Sequence, residues 1–118
     1  MGVETITVLT ESDGSGTATS NPLYGLLTGY AITVTTNNTD LTLVEATGLG
    51  RTLLNIADIQ AGTIYGSPLL AAVGSDGAAI SGQYLPPTLT GDRLTVTIAN
   101  GGNAQTITVK LQVLSEDD

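Results

Sequence analysis

The sequence predicts an all-β protein: a single antiparallel β-sandwich or jelly roll of about seven or eight strands. Three observations carry this expectation. Apolar and polar residues alternate in several runs, most cleanly in Leu94-Thr95-Val96-Thr97-Ile98 and in Ile107-Thr108-Val109-Lys110-Leu111-Gln112-Val113. A period of two puts each apolar set on one face of a strand. The runs are short and separated by clusters of Gly, Asn, Asp, Ser and Pro, residues that turn a chain for backbone reasons. No segment holds a clear helical period, and only Arg51–Ile59 is ambiguous. Many short strands without helices point to two packed antiparallel sheets.

Taken in order, Val3–Leu9 is the first strand, with Ile6 and Val8 toward the core, Glu4 at its exposed start, and Thr5, Thr7 and Leu9 on the other face. Thr10–Gly16 turns, and Thr17–Ser20 is a short strand ended by Asn21-Pro22. Leu23–Gly29 is read as an irregular strand, because Gly25 and Gly29 disfavour a helix. It leads into Tyr30–Thr36, where Tyr30, Ile32 and Val34 share a face. Asn37–Asp40 is predicted to turn, and Leu41–Ala46 to pair back as a hairpin partner with Leu41 and Leu43 inward. Arg51–Ile59 is read as a strand to about Leu54 and a loop beyond it, and Ala61–Gly66 as another strand. Ser67–Gln83 is the least regular segment, with Ala71–Val73 and Ala78–Ile80 as short edges or an arm. Tyr84-Leu85-Pro86-Pro87 lies at or before an edge, since Pro has no N–H for a ladder. Thr88–Asp92 is predicted to turn into Arg93–Ala99. That strand folds back through Asn100–Gln105 onto Thr106–Leu114 as a long hairpin with one buried face. Residues 1–114 form the domain, and Ser115–Asp118 is an acidic tail.

Composition narrows the function. The 118 residues include no Phe and no Trp, so Leu, Ile, Val and Ala must fill the core while Thr covers outer faces. Eleven acidic residues face three basic ones, Arg51, Arg93 and Lys110, for a net charge of -8. Nucleic acid is therefore not an expected partner, because phosphate backbones are held by Lys and Arg. An anionic membrane surface is disfavoured for the same reason, and no run approaches the ~18 apolar residues of a spanning helix. Met1–Ile6 shows neither a basic nor an apolar leader region, so synthesis in a cytoplasm is expected. In so acidic a chain each Arg is expected to have a carboxylate partner, within the protomer or across an interface.

The residues leave little for catalysis. His and Cys are both absent, which removes the commonest general base, the thiolate nucleophile and the usual zinc ligands. The acids fall mainly in turns and at the ends, where Asp is favoured for backbone reasons. No enzyme activity, cofactor or resident metal is therefore expected. Calcium is the metal whose oxygen chemistry would suit Glu11-Ser12-Asp13-Gly14-Ser15, but the run lacks the spacing of a calcium loop. Asn37-Asn38-Thr39 matches a glycosylation sequon within a turn. Tyr24, Tyr30, Tyr65 and Tyr84 are expected at the core or an interface. The candidate subunit or partner contacts are Tyr65, Val73, Ile80, Tyr84, Leu85, Pro86, Pro87 and Arg93.

The order of these words resembles a group of small structural proteins from the head modules of tailed bacteriophages. Thr90-Gly91-Asp92-Arg93-Leu94-Thr95-Val96-Thr97-Ile98 carries the resemblance most clearly, and Asp40-Leu41-Thr42-Leu43 comes second. The chain departs from the pattern at Thr63-Ile64-Tyr65-Gly66, where similar proteins often continue with Pro and Arg. The resemblance implies a virion protein with a sandwich or jelly-roll core. Such a protein would decorate or cement the outer surface of a capsid, with the major capsid protein as partner, as a homo-oligomer and often a trimer. The alternative is a carbohydrate- or surface-binding sandwich module of a fibre or cell surface.

Overall fold

A computed structural model describes residues 2–68, 70–73 and 79–114, with 70–73 and 79–84 described as backbone. Eleven strands are seen among them, and no helix: β1 (Gly2–Leu9), β2 (Gly16–Thr19), β3 (Leu23–Val34), β4 (Thr39–Glu45), β5 (Thr52–Ile59), β6 (Gly62–Gly66), β7 (Leu70–Val73), β8 (Ala79–Leu85), β9 (Thr88–Asp92), β10 (Leu94–Ala99) and β11 (Thr106–Leu114). One sheet runs β1-β11-β3-β6, with β9 also pairing β3; a second runs β2-β10-β4-β5; β7 and β8 form a separate ribbon. All pairings are antiparallel. The connections β1–β2, β2–β3, β3–β4, β5–β6 and β10–β11 each cross from one sheet to the other. A five-stranded and a four-stranded sheet interleaved in this way make a jelly roll, with β7–β9 inserted between β6 and β10 and β9 joining the first sheet.

This topology corrects two predicted hairpins. β10 and β11 do not pair: β10 lies between β2 and β4, and β11 between β1 and β3. Their apolar faces meet across the core instead of lying side by side. The six residues between them carry three positive φ angles, at Asn100, Gly102 and Ala104. Side-chain and backbone bonds pin them to the neighbouring turn, where Gly101 N–H donates to the Gly14 carbonyl at 2.9 Å and Thr10 Oγ1 donates to the Gly102 carbonyl at 2.6 Å. Likewise β4 does not pair with β3 but with β10 and β5.

Other boundaries also move. β5 continues to Ile59 by means of two register shifts against β4, and one of them lets the consecutive Leu53 and Leu54 both face inward. Thr39 and Asp40 belong to β4, and Thr88–Asp92 is a strand, not a turn. The predicted arm within Ser67–Gln83 is the β7–β8 ribbon, while Gly74–Ala78 and the acidic tail, Ser115–Asp118, lie outside the described residues.

The core is aliphatic. Leu27, Ile32, Leu41, Leu43, Leu89, Leu94, Ile98, Ile107 and Leu111 are its largest fully buried side chains. Polar groups that enter it are bonded. Ser20 Oγ accepts the Leu94 N–H at 2.9 Å, and Thr10 Oγ1 accepts the Gln105 N–H at 2.8 Å. Among the described residues no buried side-chain nitrogen or oxygen lacks a partner.

Candidate functional site

The outer face of the β1-β11-β3-β6 sheet is built by strand alternation. Residues whose neighbours fill the core must themselves point outward. Register then aligns them in rows: Thr7, Thr108, Thr33 and Thr63; Thr5, Lys110, Ala31 and Tyr65; and Val3, Gln112 and Gly29. The first row is a threonine ladder, with Thr33 and Thr63 hydroxyls 2.9 Å apart. The other two rows differ in character. Gly29 and Ala31 offer little side chain, so the floor sinks between Val3 on one side and Tyr65 on the other.

The result is a shallow depression of ≈ 370 Å³ lined by Val3, Gly29, Ala31, Tyr65, Lys110 and Gln112, with Thr28 and Ser67 at its margin. A Cβ on Gly29 would lie 3.3 Å from Gln112 Oε1, so glycine keeps the floor low. A second depression of ≈ 290 Å³ adjoins it through Val3 and is bordered by Pro22, Leu23 and Tyr24. Tyr65 is 78% exposed, Tyr24 65% and Val3 62%. They stand around these two depressions, Val3 on the edge strand β1 and Tyr65 on the edge strand β6, with Lys110, Gln112, Gly29 and Ala31 between those two. Lys110 is the sole charged side chain lining the first depression among the described residues, although acids outnumber bases eleven to three in the chain.

Of the sequence-derived contact residues, only Tyr65 lines this face among the described side chains. Tyr65 stands in it, on the edge strand β6. Leu85 is exposed at the end of β8, Pro86 is half-buried and Pro87 is buried. The Pro87 carbonyl accepts the Leu27 N–H at 2.9 Å, which extends the β9–β3 pairing. Arg93 is exposed between β9 and β10. Its N–H donates to Thr47 Oγ1 at 3.1 Å and its carbonyl accepts the Ala46 N–H. The side chains of Val73, Ile80 and Tyr84 lie outside the described residues. Val3 and Lys110 were not among the contact residues expected from the sequence, and Tyr24 was expected only at the core or an interface. Alternation already placed Lys110 on an outer face, but only register brings it beside Tyr65.

The remaining charged groups hold structure. Arg51 donates to Glu45 three times, from its N–H at 2.9 Å, Nε at 2.7 Å and Nη2 at 2.9 Å, and from Nη2 to the Thr88 carbonyl at 3.0 Å. The pair thus fastens the β4–β5 turn to β9. Hydrogen bonds from Arg51 hold the Glu45 carboxyl below its ordinary value, against the opposing effect of burial. Asp13 caps its own turn, accepting from the Ser15 hydroxyl and N–H, and these bonds lower its pKa. Asp40 accepts the Asp58 N–H and the Asn100 amide, which lowers its pKa in turn. Among the described residues no three acidic side chains gather as metal ligands would.

No protein-family model matches the chain, and no curated protein matches it by sequence. Among solved structures it is similar to the Yersinia pseudotuberculosis-derived mitogen, at 13% identity and a TM-score of 0.51, covering 99% of this chain and 90% of that one. That likeness is one of fold. A structure described as CBM4 matches at 12% identity and a TM-score of 0.36, covering 94% and 90%. One of the infectious bursal disease virus Gt strain matches at 12% and 0.30, covering 98% of this chain and 37% of that one. Neither of these two scores supports an inference.

Proposed function

We propose that the chain is a non-catalytic structural protein of a phage virion, which docks on the outer surface of the capsid through the outer face of β1-β11-β3-β6. The observation that carries this reading is the group of exposed Tyr24, Val3 and Tyr65 around two adjoining depressions, with Lys110 among them, on a face whose neighbouring row is threonine. Exposed aromatics over a small-residue floor are the usual anchors of a protein interface. A lone cation in such a patch favours an acidic or carbonyl-rich counterpart, while the negative charge of the rest keeps the free subunit soluble. The β9–β10 segment that bears the head-module resemblance includes buried Asp92 and Leu94, and serves as scaffold for this face.

Co-sedimentation with capsids of the encoding phage tests the proposal. Wild-type protein is expected to pellet with the shell, and Tyr65→Ala to remain largely in the supernatant while melting normally. Wild-type protein that ignores capsids would overturn the reading.

A second reading, carbohydrate binding on the same face, is favoured by one arrangement: an exposed Tyr65 ring beside the Gln112 amide, the Thr28 hydroxyl and Lys110. A ring to stack on and a few polar groups to orient hydroxyls suit a sugar. Glycan-array binding that disappears in Tyr65→Ala, without capsid binding, would select this alternative.

A further inference from the structure

The turn from β4 to β5, residues 46–51, is bonded at both of its ends and carries an apolar tip. Leu49 at that tip is 82% exposed, the highest value among the large apolar residues described. It stands between Gly48 and Gly50, whose φ angles of +71° and +69° suit glycine. The Glu45 N–H donates to the Arg51 carbonyl at 2.9 Å, and the Ala46 N–H to the Arg93 carbonyl at 2.8 Å. The Arg93 N–H donates to Thr47 Oγ1, and the Arg51 guanidinium donates to Glu45 and to the Thr88 carbonyl. A Cβ on Gly48 would collide with Asp92 Oδ1, so the turn lies against β9. A single exposed leucine is ordinary on a protein surface. One held out on a turn bonded this closely has already lost the backbone freedom that binding would otherwise cost.

The two ends of the β2-β10-β4-β5 sheet also differ in charge. Leu94 lies opposite Glu45 at one end of the β10–β4 pair, and Ala99 opposite Asp40 at the other. At the Leu49 end the acids Glu45 and Asp92 are buried, while Arg93 is exposed and the Arg51 side chain is 31% exposed. At the far end Glu11, Asp13 and Asp58 are exposed and Asp40 is half-buried. Their turns are joined there: the Gly101 N–H donates to the Gly14 carbonyl, and Asp40 accepts from the Asp58 N–H and the Asn100 amide. None of the three basic residues lies at that end, since Lys110 is on the outer face of the other sheet. Beside Glu11 is a depression of ≈ 310 Å³ lined by Leu9, Gly16, Thr17, Thr97 and Ile98, in which Leu9 is 66% exposed. One end thus offers an apolar tip flanked by cations, and the other an apolar hollow flanked by carboxylates.

We propose that the chain associates head to tail with a second copy of itself: Leu49 of one copy enters the hollow at Leu9 of the next, and Arg93 faces its Glu11. Opposite charges meet across the contact, so a chain of net charge -8 approaches its copy where repulsion is weakest. The contact is heterologous. Each copy keeps one free tip and one free hollow, so growth does not stop at two and ends only where a ring closes. The inference goes beyond the docking role and does not rest on it, because neither Tyr65 nor Lys110 takes part. Linked subunits present several copies of the outer face, which raises the avidity of whatever that face binds.

Sedimentation velocity across a range of concentrations tests the contact. The weight-average mass of the wild type is expected to rise beyond twice the 11.9 kDa of the chain. Leu49→Asp removes the apolar tip and Leu9→Arg sets a cation in the hollow, and each is expected to weaken association at least about tenfold. An equimolar mixture of these two variants is expected to form a complex of two chains and no larger, because the intact tip of one fits only the intact hollow of the other. The double variant R93E/E11R exchanges the charges and is expected to associate more tightly than R93E or E11R alone. Leu9 and Leu49 are both exposed, and thermal melting checks that each variant folds. A wild type that remains a monomer or stops at a dimer would overturn the proposal, as would a mixture that remains monomeric.

Discussion

Replacing Arg51 by methionine isolates what the Glu45–Arg51 clasp contributes. The Glu45 side chain is 1% exposed and that of Arg51 31%. Arg51→Met removes two of the three donors to the carboxylate and leaves only the residue's own N–H. It also frees the Thr88 carbonyl, and so loosens β9 from the β4–β5 turn. Breaking a fully buried pair costs about 3–5 kcal/mol. Because the guanidinium is partly exposed to water, about 2–3 kcal/mol is expected here. For a domain of this size that lowers Tm by about 8–12 °C. The dependence on pH has a definite sign. In the wild type the folded-state pKa of Glu45 is lowered, so the pair stabilises the fold above the ordinary carboxylate value of 4.5 and loses that effect as pH falls through the folded value. In Arg51→Met burial acts with little opposition and raises the Glu45 pKa. The deficit of the variant is therefore largest at neutral pH and shrinks on acidification, because the variant's carboxyl takes up its proton first and the wild type then loses its own stabilisation as pH falls below the ordinary carboxylate value. Circular-dichroism melts at neutral and mildly acidic pH measure it. The double variant E45Q/R51M should recover about 1 kcal/mol or more at neutral pH, because no charge is left without a partner. A Tm change under about 2 °C, or a deficit that grows on acidification, would refute the reasoning.

Three further outcomes are expected. Thr10→Val removes a hydroxyl that bonds the Gly102 carbonyl and the Gln105 N–H at the β10–β11 crossover, and should cost about 1–3 kcal/mol in urea unfolding. Gly101→Ala would bring a Cβ to 2.7 Å from Ile98 Cγ2 and 3.1 Å from Ile107 Cδ1, so overpacking of about 1–3 kcal/mol should appear in the same assay. Tyr65→Ala, at an exposed site, should change stability by less than about 0.5 kcal/mol, which separates a loss of binding from a loss of fold.

The fold class and most strand faces were legible in the sequence because alternation reports burial directly. Ile6 and Val8, Leu41 and Leu43, and the inner faces of β10 and β11 are buried as the pattern requires. What alternation does not report is the partner. Leu94, Val96 and Ile98 would show the same period whether they lay beside Ile107, Val109 and Leu111 in one sheet or across the core from them. The Asn-Gly connection looked like a hairpin turn. Its three positive φ angles instead carry the chain over the rim of the sandwich. β9 was hidden because Gly91-Asp92 has turn chemistry, while Leu89 alone faces inward with only Asp92 beside it. The candidate face was half legible. Tyr65 stood out as an aromatic on a short strand, but its neighbours come from β1, β3 and β11, and their alignment depends on long-range register that local sequence does not encode.

The docking claim is tested most directly by the affinity of the protein for intact capsids, measured by co-sedimentation for the wild type, Tyr65→Ala and Lys110→Glu. The account predicts binding by the wild type and at least about a tenfold loss in each variant, with melting temperatures unchanged. Tight binding by all three, or by none, would contradict it.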